Sequence, residues 1–169
     1  MNLYVLRHAA AVPRGTRSYR RDSDRPLTKD GVNTMRRAAR GMYRLKLDFD
    51  LILSSPYVRA RQTAEITADV FAAKKQLKLS GHLASDGDPR KLVAELNRDY
   101  PTLGSILIVG HEPYLSELIC VLIGCRSGTA LALKKGGLGK LSTDSLRFGP
   151  CAKLDWLVTP RQLVRIGKA

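Results

Sequence analysis

Acidic residues are scarce in this chain. Its 169 residues hold 15 Asp+Glu against 29 Lys+Arg, a formal net charge of +14. Aromatics are also sparse, at three Phe, one Trp and six Tyr, too few to interleave with the basic residues as base-stacking platforms. No apolar run approaches the roughly 20 residues of a membrane helix. The first such run, Leu3 to Leu6, is cut short by Arg7 and His8 and is too short for a signal peptide. The three cysteines, Cys120, Cys125 and Cys151, are odd in number and fit no metal spacing. They read as buried or half-buried free thiols in a reducing compartment.

What is present is an ordinary globular composition, 44% hydrophobic and 26% charged, at a length that suits one domain, residues 1–169. The expectation is a cytoplasmic, membrane-free monomer. The basic charge is spread rather than blocked, with 14 of the 29 basic residues before residue 62. Attraction of an anionic substrate or phosphoprotein ranks first, and a solvated basic surface second. Nucleic-acid binding ranks below both.

Short apolar runs alternate with helical patterns. Strands are expected at Asn2–Leu6, Leu51–Leu53, Leu77–Leu79, Ser105–Val109, and residues 130–134, 138–143 and 153–158. Residues 8–27 carry Pro13, Gly15, Pro26 and many charges and read as a long loop, a length that usually signals function. Thr28 caps a helix whose inward positions are Val32, Met35, Ala39, Met42 and Tyr43. Ser55-Pro56 opens a second helix, with Ser55 as N-cap and Ala60, Thr63, Ala64, Thr67, Val70 and Phe71 inward. Further helices are expected from Pro89 to about Arg98, from Pro113 to Ile123 with Gly124 closing it, and after Thr159-Pro160. This order implies an α/β fold, a mainly parallel sheet covered by helices.

Three polar clusters follow strands directly: Arg7-His8, Ser54-Ser55-Pro56 with Arg59, and Gly110-His111. In open α/β sheets ligands bind beyond the carboxyl ends of strands. Parallel neighbours would gather two histidines and two arginines at one edge, a set suited to a phosphoryl group. Arg59 lies in the first turns of its helix, near the positive end of the dipole, whereas Arg61 points away. His82 has no such context and reads as a turn or surface residue.

Leu-Arg-His at 6–8, Ser-Ser-Pro-Tyr-Val-Arg-Ala-Arg-Gln-Thr-Ala at 54–64 and Val-Gly-His at 109–111 resemble the histidine phosphatase superfamily, the phosphoglycerate-mutase-like fold. Asp24-Arg25-Pro26-Leu27-Thr28, Gly110-His111-Glu112-Pro113 and the ending Leu157–Leu163 are similar to its SixA-type phosphohistidine phosphatases. The resemblance implies a three-layer α/β/α fold and a metal-independent, cofactor-free phosphatase. It implies that His8 is the nucleophile, forming a phosphohistidine intermediate that water hydrolyses. It also implies that Arg7, Arg59 and His111 bind the phosphoryl oxygens. Two nearby arginines would lower the pKa of His8 and favour its neutral form.

The chain departs from the family pattern in two places. Ala9 stands where the family usually has glycine. The glutamate that protonates the leaving oxygen in mutases and sugar-phosphate phosphatases has no clear counterpart. Asp86 and Asp88 are the candidate general acids, with Asp88 equally readable as a helix cap, and Glu112 is a further candidate. An imidazole leaves more easily than an alkoxide, so a missing acid favours phosphohistidine on a signalling or phosphotransfer protein over an ester. A small-molecule phosphate-ester phosphatase and a non-catalytic phosphoprotein-binding module are the alternatives; a mutase ranks lower. Arg25 is a secondary candidate for substrate binding, with a structural ion pair as its competing role. Others of the arginines at 14, 17, 20 and 21 would guide an acidic phosphoprotein, or simply solvate the loop.

Overall fold

The structure is a computed structural model that describes residues 1–125 and 131–168. Among these residues six strands form one sheet: β1 (Asn2–Arg7), β2 (Leu51–Ser54), β3 (Leu77–Leu79), β4 (Ser105–Gly110), β5 (Leu138–Ser142) and β6 (Lys153–Val158). Their order is β3-β2-β4-β1-β5-β6. The neighbours β3, β2, β4 and β1 run parallel, while β5 is antiparallel to both β1 and β6. The sheet is therefore mainly parallel, and the mixed α/β fold agrees with the sequence reading.

Among the described residues five helices cover it: α1 (Lys29–Arg44), α2 (Val58–Val70), α3 (Pro89–Asp99), α4 (Tyr114–Ile123) and α5 (Pro160–Ile166). Alternate residues of each strand face opposite sides. Leu3, Val5, Leu53, Ile106 and Ile108 pack with α3 and α4. Leu6, Ile52, Leu107 and Val109 pack with α1, α2 and α5. The central strands are buried on both faces, which is why they read as continuous apolar runs. No helix among the described residues is long and apolar enough to cross a membrane.

The helix ends follow local chemistry. The Thr28 hydroxyl accepts from Gly31 N at 2.9 Å and caps α1 as expected. A Cβ at Gly31 would collide with the Ala10 carbonyl, so glycine lets α1 approach the loop that follows β1. Gly124 closes α4 at φ 70°. Thr159 and Gln162 form a reciprocal capping box on α5.

Three expectations are corrected. α2 starts at Val58 with Tyr57 as its cap residue, not at Pro56, because the Tyr57 backbone is extended (φ −62°, ψ 134°); the Ser55 hydroxyl accepts from Tyr57 N at 3.3 Å and also meets His111. Residues 131–134 form no strand: the Leu133 carbonyl accepts from Arg7 Nη1 at 2.8 Å and the Lys134 carbonyl accepts from Gly137 N at 2.7 Å, in a turn; residue 130 lies outside the described residues. Tyr43 is 60% exposed, and its ring packs edge-on against Phe71 rather than entering the core.

Candidate active site

Strand register builds the site. Arg7 pairs with Gly110, and Ser54 pairs with Val109. His8, Ser55 and His111 are therefore each the first residue beyond β1, β2 and β4, at nearly the same level. Backbone bonds continue the ladder there, from His8 N to Gly110 O at 3.0 Å and from Ser55 N to Val109 O at 2.9 Å. The rings of His8 and His111 come within 5.2 Å, centroid to centroid.

His8 is almost wholly buried, and its Nδ1 lies 2.7 Å from the Ala9 carbonyl oxygen. A carbonyl only accepts, so Nδ1 carries the proton and Nε2 the lone pair. Arg59 Nε donates to that Nε2 at 3.2 Å. Burial pulls the His8 pKa down to about 4, and the Arg59 and Arg7 cations add to the fall; the Ala9 carbonyl opposes it. The imidazole is thus neutral near pH 7. Ala9 is itself fixed, its N–H donating to Thr63 Oγ1 of α2 at 3.1 Å. It does not use the positive φ that glycine would permit.

Arg59, on the first turn of α2, is 2% exposed. Its Nη1 donates to the Asp22 backbone carbonyl at 2.6 Å and its Nη2 to Asp22 Oδ2 at 2.8 Å. The other carboxylate oxygen, Oδ1, accepts from Arg25 Nη2 at 2.6 Å, Arg25 Nε at 3.0 Å and Arg14 Nε at 2.9 Å. Hydrogen bonds from Arg25 and the Arg59 charge hold the Asp22 carboxyl at about 2, against the opposing effect of its partial burial.

His111 Nε2 lies 2.8 Å from Ser55 Oγ, which also accepts from Tyr57 N at 3.3 Å. When the hydroxyl donates to Nε2, the proton of His111 sits on Nδ1, a buried nitrogen with no protein partner among the described residues. That arrangement leaves it free to donate to a ligand. Burial, with the Arg59 charge, depresses the His111 pKa to about 3. Arg7 Nη1 donates to the Leu133 carbonyl at 2.8 Å, while its buried Nε has no partner among the described residues.

The other sequence candidates divide. Arg25 is engaged with Asp22 and with the Val12 carbonyl, at 2.6 Å, in a structural ion pair. Asp88 Oδ1 accepts from Arg90 N at 2.8 Å, which makes it the cap of α3. Asp86 reaches the Tyr57 hydroxyl at 3.4 Å, on a cleft of about 540 Å³ that also takes in Arg14, Arg20, Asp22 and Arg25. Tyr57 in turn packs 5.0 Å from the His111 ring. Glu112 Oε2 accepts from Ser116 Oγ at 2.6 Å, and burial raises its carboxyl pKa. Arg61 lies outward, 3.5 Å from Glu65 on the exposed face of α2. His82 sits in the short turn Gly81–Leu83. The three cysteines are free and half-buried.

One member of the cluster, Asp22, escaped the sequence reading, and Ser55 was placed in a polar cluster without its contact to His111. Asp22 lay unmarked in the arginine-rich loop, where only the surrounding positive charge hinted at a half-buried counter-ion. Ser55 was assigned to a helix cap, although its place directly after β2 matched that of His8 and His111.

The histidine phosphatase superfamily (branch 1) model matches residues 3–80. An uncharacterized protein of Picosynechococcus sp. is 36% identical over 149 residues, covering 88% of each chain. The phosphohistidine phosphatase SixA of Escherichia coli (strain K12) is 25% identical over 164 residues, covering 96% of each. The solved structure of the protein histidine phosphatase SixA complexed with tungstate superposes with a TM-score of 0.82 at 25% identity, covering 96% of this chain and 99% of that one. These likenesses agree with the fold: the chain belongs to the histidine phosphatase superfamily and is of the SixA type.

Proposed function

We propose that this phosphatase passes a phosphoryl group to His8 Nε2 and then to water without a metal ion, and that its substrate is phosphohistidine on a signalling or phosphotransfer protein. In the first step a bond forms between Nε2 and phosphorus as the bond to the leaving imidazole nitrogen breaks, and that nitrogen takes up a proton from solvent water. In the second, water attacks phosphorus, the Nε2–P bond breaks, inorganic phosphate leaves and His8 regains its lone pair. Arg7, Arg59 and the free Nδ1 of His111 neutralise charge on the equatorial oxygens. The protein acts as a cytoplasmic monomer of one domain, residues 1–169.

One observation carries the mechanism. The Ala9 carbonyl holds the proton on Nδ1, so the lone pair of a neutral, buried imidazole lies on Nε2, beside the Arg59 guanidinium. The substrate class is supported by similarity to phosphohistidine phosphatase SixA, and by the structural relative having been solved with tungstate, a tetrahedral oxyanion. It is also supported by the use of the Asp88 carboxylate as a helix cap, since imidazole needs less help from an acid than an alkoxide does.

The test is rapid quenching with a radiolabelled phosphodonor. Wild type should yield a protein-bound phosphate that is acid-labile and alkali-stable, and His8→Ala should yield none. Label retained in His8→Ala would place the intermediate elsewhere.

A further inference from the structure

We infer that Asp22 is a positioning residue, which grips one edge of the Arg59 guanidinium so that the other edge meets the phosphoryl group at His8. The inference rests on the roles proposed above for His8 and Arg59.

A guanidinium is a flat fork with five N–H donors and two usable edges. The end edge of Arg59, Nη1 and Nη2, is filled by the carbonyl and carboxylate of Asp22 at 2.6 and 2.8 Å. The side edge, Nε with the facing proton of Nη2, is turned to His8 Nε2 at 3.2 Å. An oxygen on phosphorus approaching Nε2 arrives at this side edge.

Two roles for the carboxylate are opposed. As a plug, Asp22 would occupy the edge that the phosphoryl group needs, and substrate would have to expel it. As a clamp, it would hold the far edge. The distances put it on the far edge.

The clamp is itself anchored. Arg25 binds Asp22 Oδ1 through two nitrogens and ties its remaining nitrogen, Nη1, to the Val12 carbonyl at 2.6 Å. Leu27 N donates to Gln62 Oε1 of α2 at 2.8 Å, so the end of the same loop is tied to the helix that carries Arg59. The loop at 8–27 thus delivers a fixed carboxylate to a residue 37 positions away.

Charge and orientation predict opposite signs, which makes the inference testable. Deleting a carboxylate makes the pocket more positive, so on charge alone an oxyanion should bind more tightly. Loss of orientation should make it bind more weakly.

The probe is orthovanadate, titrated calorimetrically into wild type, Asp22→Ala, Asp22→Asn, Arg59→Ala and the two double variants. Asp22→Ala should weaken binding about tenfold, a coupling usual for residues in one network. Asp22→Asn keeps the shape and an acceptor oxygen and should lose about threefold, since charge-assisted bonds are stronger than neutral ones. It carries the test if Asp22→Ala does not fold. In the Arg59→Ala background either change should do almost nothing. Tighter binding by the Asp22 variants, or an equal loss with and without Arg59, overturns the inference. Turnover of a histidine-phosphorylated protein is followed in parallel. Coupled binding without turnover would keep the role of Asp22 and remove the proposed mechanism; turnover without coupling would do the reverse.

Discussion

Arg59 Nε and His8 Nε2 face each other across 3.2 Å, so the nitrogen proposed to attack phosphorus is already bonded to the cation proposed to receive its oxygens. Substrate binding exchanges one acceptor for another on the same N–H. The Arg59 donors named here keep an acceptor throughout, so the cost of desolvating its guanidinium is met during folding rather than at binding.

This arrangement makes Arg59 hard to replace. Lysine supplies the charge but not the two edges that serve Asp22 and His8 together. Both Arg59→Lys and Arg59→Ala should lower kcat/KM by about 100- to 1000-fold, the usual loss for one oxyanion donor. Steady-state kinetics on an aryl phosphate check it. Near-normal activity in Arg59→Lys would show that charge alone suffices.

The acid limb of activity follows from His8. Its pKa is depressed to about 4 by burial first and by the neighbouring arginines, and attack requires the neutral ring. kcat/KM on an acid-stable aryl phosphate, corrected for the ionisation of the substrate phosphate at about pH 6, should stay flat as pH falls from 7 to about 5, then decline through about 4. A limb near 6.5, the ordinary histidine value, would mean that the ring is solvated in solution.

The same groups set stability. His8 and His111 are held neutral in the fold and take up protons near 6.5 when unfolded. The unfolded state binds more protons below that value, so stability is full above pH 6.5 and falls as pH drops toward 4. At pH 5 each histidine should cost about 2 kcal/mol relative to pH 7.5. Asp22 has the opposite sense, stabilising the fold above its ordinary 3.8 and losing that only as pH falls through about 2. Urea unfolding at the two pH values tests this, and His8→Asn should remove about half of the difference.

Asp88 separates a cap from an acid. Its carboxylate accepts from Arg90 N, so Asp88→Ala should cost about 1 kcal/mol of stability, the usual price of a lost N-cap. Release of phosphate from phosphohistidine should change by less than about twofold. A drop of 100-fold or more would identify Asp88 as the general acid.

Much of this was legible in the sequence because it was local. Arg7-His8 and Gly110-His111 directly follow apolar runs, and a parallel pairing brings such ends together whatever lies between. Thr28, Gly124 and Thr159-Pro160 mark helix ends through groups only a few residues away. What the sequence hid was set by tertiary choice. Ser55 accepts from Tyr57 N as a cap would, but its hydroxyl also meets His111, 56 residues away, which no local pattern shows. Residues 130–134 have the look of a strand, but the described part, 131–134, offers the Leu133 carbonyl to Arg7 and then turns at Lys134. Asp22 is one acidic residue among many arginines, and no periodicity tells which of them it meets.

The most direct test of the whole account is phosphate release from a histidine-phosphorylated protein, measured beside small phosphate esters in the presence of a chelator, with wild type and His8→Ala. Wild type should clear the phosphohistidine protein preferentially and without added metal, and His8→Ala should not. Preference for the esters would contradict the substrate assignment, and full activity in His8→Ala would contradict the mechanism itself.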